Sequence, residues 1–470
     1  MSPLRMLGLI VVTTVISACT LLGPDYQRPE NILPAQFSEA DAVAVQATAP
    51  ISSIWWELYQ DTTLNDLVTK ALQNNTEIKQ AVARIEEAEA FSREVGAAAL
   101  PQVNLDADTS RSRVTEAGAF PTFAGNPRNS FSIELGTTFE LDFWGKLQRS
   151  KESARAQALS TQYAKDTVTL SLSGLVVGNY LLLRSLESQI AISQASLKSR
   201  EESLALTRRR LQGGVASALD VHQAEVSSAN LAAQIVELTR LRALSEHQLA
   251  VLTGELNLKL AAGDIKTLPI PPVPPAGLPS SLLEARPDVR QAEQQMIAAN
   301  AKIGVAKAAL FPTISLTASY GGESLELSDV LKSAARIWTG GLSLYLPIFD
   351  SGKLNAKADQ ATARQKQALA SYEGAIQTAF REVNDALITV RQSTERETAL
   401  DSSQIAAKKA LVISENRYKS GYSAYLDVLD SQRVYNDAAL AFIQSRQVRL
   451  VATVDLFKAL GGGWKASQDN

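Results

Sequence analysis

Leu426, Asp430 and Arg433 stand at i, i+4 and i+7, a spacing that puts an apolar side chain, an acid and a base on one face of a helix. Asp427 lies beside them, and Asp220 holds the corresponding place in an earlier, similar stretch. The chemistry open to such a set is electrostatic: ion pairing, repulsion between like charges, and selection among ions. Asp220 and Asp427 also have a plainer use as first-turn acids favoured by the helix dipole, and Ser217-Ala-Leu-Asp220 has the form of a capping box. His222 and His247 have no Cys or His partner at ligand spacing, so they read as helix-surface residues and no metal is expected. No phosphate loop, nucleophile elbow or triad spacing occurs, and the sequence points to neither a cofactor nor an enzymatic step.

A second acidic set, Glu134, Glu140 and Asp142, lies in a run of strict alternation from Phe131 to Trp144. Phe131, Ile133, Leu135, Thr137, Phe139, Leu141 and Phe143 share one parity, and the acids share the other. That is the two-residue period of a strand with one greasy and one wet face. In a soluble sandwich the wet face would meet bulk water. In a membrane barrel the greasy face meets lipid and the three acids line a wet lumen. Val103, Leu105, Ala107 and Thr109 repeat the pattern, as do Ile314, Leu316, Ala318 and Tyr320, then Leu342, Leu344, Leu346 and Ile348. Strands are expected at about 102–112, 130–144, 313–322 and 338–349.

What positions these strands is helical. A single helix is expected from Thr62 to Ala98, entered at Asp61 and stopped at Leu100-Pro101. Leu147 to Gln212 contains no Pro, and as one helix it would run about 100 Å at 1.5 Å per residue. Gly213-Gly214 end it, and Ala218 to Thr253 returns as the second arm of a coiled-coil hairpin whose apolar spacing is broken by Arg242. The net charge of −3 offers no footprint for nucleic acid.

The pattern then recurs. Gly214 and Leu219-Asp220-Val221 reappear as Gly421 and Leu426-Asp427-Val428, a shift of 427 − 220 = 207 that also carries Gly145-Lys146 onto Gly352-Lys353. Residues 62–268 form one repeat with its hairpin at 146–254. Residues 269–461 form the second, hairpin 353–461, and 462–470 remain as a C-terminal tail.

At the N-terminus, 1–18 reads as a signal peptide: Arg5, then an apolar run too short to span a bilayer. Ser17-Ala18 ahead of Cys19, the single Cys, resemble a bacterial lipoprotein processing site, so Cys19 is expected to carry acyl chains such as palmitate. Residues 19–61, punctuated by Pro24, Pro29, Pro34 and Pro50, are expected to form an extended tether lying against the folded body. No later segment has the ~20 consecutive apolar residues of a transmembrane helix, so a membrane crossing must use strands. Four strands cannot close a barrel, and an open edge in lipid leaves backbone groups unpaired. Two copies would give eight strands with a filled interior; three give twelve and a lumen. The polar parity favours three.

The order of elements and several strings resemble the TolC-like outer membrane efflux proteins, closest to the lipoprotein branch that serves resistance-nodulation-division pumps. Among these strings are Pro24-Asp25-Tyr26-Gln27-Arg28-Pro29, Trp55-Trp56, Arg286-Pro287-Asp288-Val289, Ala309-Leu310-Phe311-Pro312, Asp350-Ser351-Gly352-Lys353, Leu429-Asp430-Ser431-Gln432-Arg433 and Gly461-Gly462-Gly463-Trp464. The resemblance implies an α+β membrane protein: a homotrimeric, 12-stranded β-barrel with four strands per chain, continued by a long periplasmic α-helical coiled-coil barrel. It implies a lipid-anchored place in the bacterial outer membrane, a periplasmic adaptor (membrane fusion) protein and an inner-membrane pump as partners, and drugs or other small toxic compounds as cargo. Carried over residue by residue, it puts a periplasmic gate at Leu426, Asp427, Asp430 and Arg433, with Asp220 and Tyr418 nearby. Adaptor-docking turns fall at Gly213, Gly214, Val215 and at Gly421, Tyr422, Ser423. One branch has an Arg where Ser423 stands, to pair with the acid at 220; here the Tyr418 hydroxyl is the remaining candidate partner. Two rivals stay open: a conduit for secreted polypeptides, and a periplasmic coiled-coil scaffold with no barrel.

Overall fold

The computed structural model describes residues 21–30, 33–34, 36–38, 51–115, 117, 126–277 and 279–464. Cys19 and the signal segment lie outside the described residues. The chain divides into two compact units. The first comprises Met1–Glu30, Arg84–Thr161 and Gln291–Tyr372; the second comprises Asn31–Ala83, Gln162–Arg290 and Glu373–Asn470.

The first unit holds a four-stranded sheet of β1 (Gln102–Ser112), β2 (Arg128–Leu141), β3 (Thr313–Ser324) and β4 (Arg336–Tyr345). Neighbours are antiparallel and the order is β1-β2-β3-β4, leaving β1 and β4 as edges. The register aligns the parities read from the sequence. Leu105 pairs with Leu135, Leu135 with Tyr320, and Tyr320 with Trp338, so one apolar row crosses all four strands. Phe139, Leu316 and Leu342 make a second row. On the other face Asp106 pairs with Glu134, and Thr138 with Thr317 and then Gly341. Two carboxylates directly opposite destabilise a sheet unless water screens them, which fits a wet face.

Two strands end earlier than the alternation suggests. β2 stops at Leu141 rather than 144, because Asp142 turns its carboxylate onto the Gln148 N–H at 2.8 Å, satisfying a donor in the first turn of the next helix. β4 stops at Tyr345 rather than 349, and Asp350 does the equivalent capping toward Gly352 and Leu354. Leu346 and Ile348 therefore lie beyond the fourth strand's apolar face.

The described tether residues of the first unit lie along its helices. Arg28 pairs with Glu293 at 2.7 Å, Arg149 with Asp25 at 2.6 Å, and Asn300 donates to the Pro24 carbonyl at 2.8 Å.

The second unit carries the main core. The helix expected over 62–98 is two: α1 (Thr62–Asn74) and α2 (Thr76–Ala97). Asn75 breaks it by giving its amide to the Leu252 carbonyl at 3.0 Å and accepting the Glu77 N–H at 2.8 Å, two bonds an internal helical position would not reach. Leu64, Leu67, Val68 and Ala71 of α1 pack on Leu172, Val176, Val177, Tyr180, Leu181 and Leu183 of α3 (Lys146–Gln212). One side of the most apolar stretch of α3 is thus buried in the core, while Leu175 and Leu182 remain exposed. The Trp55–Tyr59 turn is buried rather than part of the tether, with Trp55 stacked on Phe457 at 5.4 Å. In the C-terminal tail Trp464, the last described residue, donates its indole N–H to Asp166 at 3.0 Å.

The hairpin partners are α4 (Ala218–Thr253) after α3, and α7 (Tyr425–Ala459) after α6 (Lys353–Lys419), with α5 (Pro287–Ala308) preceding β3. Arg242, which broke the coiled-coil spacing, bridges Glu187 at 3.1 Å and Glu246 at 3.2 Å, and Arg184 completes the set on Glu187 at 2.7 Å.

Candidate functional site

The two hairpin turns are built alike. Val215 donates to the Arg210 carbonyl at 2.9 Å and Tyr422 to Arg417 at 2.8 Å, the six-residue closure of a helix end. It requires a left-handed residue just inside the bond, and Gly214 and Gly421 supply it with φ of 75° and 82°. Gly213, Gly214, Val215, Gly421 and Tyr422 are exposed, while Ser423 is half-buried. Val215 is 77% and Tyr422 79% exposed, so each turn offers one apolar side chain to an external surface.

The helices that leave these turns differ. α4 starts in a full capping box: Leu219 donates to the Ser217 hydroxyl at 3.0 Å, and Ser217 N–H to the Asp220 carboxylate at 3.1 Å. α7 starts at Ala424 with no side-chain cap. Asp220 is therefore occupied locally, and the candidate Tyr418–Asp220 hydrogen bond is not made within the chain. The Tyr418 hydroxyl instead meets Thr207 at 3.1 Å. Its ring packs 5.6 Å from Tyr425 and lies 4.3 Å under the Arg210 guanidinium. Arg210 also donates to the Tyr418 carbonyl at 2.7 Å. Ala224, Val428 and Leu429 close this small core, which joins both hairpins behind their turns. Burial pushes the Tyr425 hydroxyl up to about 12, so it stays neutral.

Leu426, Asp427, Asp430 and Arg433 are all exposed along α7. Arg433 bridges Asp430 at 2.8 Å and Asp437 at 3.5 Å, forming an acid–base–acid ladder. These residues border a cavity of about 690 Å³ whose walls come from α3, α4 and α7. Across it stand Gln223, Val226 and Asn230, the residues 207 positions before Asp430, Arg433 and Asp437. The two repeats thus meet through equivalent positions, charged on one side and neutral on the other. The ladder's charges consequently pair within α7.

Of the strand acids, Glu134 and Glu140 are on the polar face of β2, and Glu140 pairs with Lys146 at 2.9 Å. Asp142 is not a strand residue but a helix-capping one. Sequence reasoning overlooked Thr207, Arg200 and Arg210, since each is a single polar residue on a long helix and becomes informative only through its partner on another.

A sheet with an apolar row across all four strands, two unpaired edges and hairpins built on 67-residue helices defines one subunit of a β-barrel channel of the outer membrane. Residues 67–255 and 278–462 match the outer membrane efflux protein family, once for each repeat, and the chain belongs to that family. It is a transport protein, not an enzyme. It is 33% identical to the solvent efflux pump outer membrane protein SrpC of Pseudomonas putida, over 97% of both chains. Among solved structures, the outer-membrane channel OprN superposes with a TM-score of 0.88 at 30% identity, covering 95% of this chain and all of that one. The open state of the Neisseria gonorrhoeae MtrE outer membrane channel gives 0.84 at 30% identity, covering 96% of this chain and all of that one.

Proposed function

We propose that three copies of this chain form a 12-stranded barrel and a periplasmic helical conduit through which an inner-membrane resistance-nodulation-division pump, joined by a periplasmic adaptor, exports small toxic organic compounds. The observation that carries the reading is the apolar row from Leu105 to Trp338, which ends at two open edges. Lipid tolerates neither edge, and closure around a lumen takes further copies. The exposed Val215 and Tyr422 turns support adaptor docking, and the exposed stripe of Leu426, Asp427, Asp430 and Arg433 supports a periplasmic gate. Glu134 and Glu140 fit lumen-facing positions. Cys19 fits a lipid anchor in the outer membrane, which would place the chain in the family's lipoprotein branch. Relatives whose names refer to solvent efflux and pyoverdine export favour small molecules as cargo.

Deleting the gene should lower tolerance to hydrophobic solvents and antibiotics, with recovery on complementation. Unchanged tolerance together with a polypeptide missing from the culture medium would assign the conduit to protein secretion instead.

A further inference from the structure

The cavity between α3, α4 and α7 holds a buried cation, Arg200, that makes no direct ion pair among the described residues. Arg200 is 93% buried by its 7% exposure, yet among the described residues it makes no salt bridge. Its Nη1 donates to the Ser227 carbonyl at 2.8 Å and hydroxyl at 3.0 Å, and its Nε has no hydrogen-bond partner. Burial holds the guanidinium below its ordinary range, with Asp437 and Tyr425 acting weakly in the opposite direction. A buried unpaired charge is strongly unfavourable for folding, so a residue that persists there invites a functional explanation. The fold itself does not demand an arginine: 207 residues on, the equivalent helix position is Ala407, which is also buried.

The surroundings resemble a small-molecule site more than a packing defect. The space of about 690 Å³ is of the size that encloses drug-sized ligands. Leu219, Val226, Leu231, Leu426 and Leu429 supply apolar wall. Asn436, 2% exposed, adds a buried amide whose Oδ1 has no partner. The wall carboxylates Asp430 and Asp437 pair with Arg433 at 2.8 and 3.5 Å, and neither makes a salt bridge to Arg200.

We propose that this cavity binds an amphipathic organic anion of drug size, its acid group on Arg200 and its apolar body against the leucines of α4 and α7. Such a ligand would bridge the two repeats beside the exposed ladder and favour the arrangement in which α4 and α7 stay together.

The test uses the full-length protein in lipid nanodiscs, free of detergent that would compete. The probe is 1-anilinonaphthalene-8-sulfonate, read by fluorescence titration against N-phenyl-1-naphthylamine, which has the same ring system without the sulfonate. Saturable sulfonate binding at one site per chain is expected, at least about tenfold weaker in Arg200→Met, a difference of about 1.4 kcal/mol. The neutral probe should bind more weakly to the wild type and be unaffected by Arg200→Met. Val226→Trp adds bulk at an exposed wall position and should abolish sulfonate binding even if Arg200→Met does not fold. Sulfonate binding that survives either folded variant, or equal binding of the two probes by the wild type, would overturn the proposal.

Discussion

Leu135→Arg tests the membrane face most directly. Leu135 is the eighth of fourteen residues in β2, between Leu105 and Tyr320 on the apolar row, and is 51% exposed in the single chain. A strand of that length at about 3.3 Å per residue crosses a bilayer at a tilt, which brings its middle near the midplane. An arginine facing lipid there costs about 2–4 kcal/mol. Three copies in one barrel raise this to about 6–12 kcal/mol per trimer, enough to deplete assembly strongly. Thr138→Arg is the control, three residues along the same strand but on the face shared with Thr317. Its guanidinium would reach lumen water, and assembly should stay near the wild-type level. Trimer is measured as the band that survives unheated detergent electrophoresis of outer membranes, and independently by chemical cross-linking. Equal trimer yields from Leu135→Arg and Thr138→Arg would refute the face assignment, and with it the lipid-facing barrel.

The remaining expectations are separate measurements. Cys19 should be the mature N-terminus, with acyl chains visible by mass spectrometry, and Cys19→Ser behind a replacement signal should still give trimers because strand pairing holds the barrel. Thr207→Val removes the partner of the buried Tyr418 hydroxyl and should lower stability by about 1–3 kcal/mol, read as earlier protease cleavage at the hairpin turns. Arg433→Ala leaves Asp430 and Asp437 without their shared cation, so single channels in planar bilayers should open more readily. Asp430→Ala should instead mainly reduce cation preference, and unchanged conductance and selectivity in both variants would remove the ladder from the gate.

The strands were legible because their period is two and one face must be greasy: Phe131, Ile133 and Leu135 announce a face that the register then joins to Leu105 and Tyr320. Their ends were less legible. Asp142 and Phe143 keep the alternation in sequence, but Asp142 is drawn to the start of α3, a competition between strand and cap that hydrophobic pattern does not register. Asn75 hid for the same reason, since its two bonds lie partly in a helix more than 170 residues away. At the candidate gate, spacing identified the face of Leu426, Asp430 and Arg433. The capping box of Ser217 and Asp220 was legible from its spacing and is formed, whereas Thr207 as the partner of Tyr418 lies on another helix and left no local signal.

The two hairpins share the same turn but differ at the helix starts that follow, and those differences bear on which one the proposed gate would displace. The Ser217 and Asp220 box anchors the start of α4, and capping side chains of this kind contribute about 1 kcal/mol. α7 begins at Ala424 without one, so displacing its first turn sacrifices less. The exposed ladder of Asp430, Arg433 and Asp437 lies on that same helix, opposite Gln223, Val226 and Asn230, which offer it no countercharge. A ladder that pairs internally travels with its helix and loses no ion pair across the cavity when α7 shifts. If α7 is the moving element of the proposed gate, its shift must break the contacts of Tyr425 and Val428 with Tyr418 of α6 and Ala224 of α4. In the proposed gate, that aromatic cluster and the compensation of Asp430 and Asp437 by Arg433 would together hold the closed arrangement.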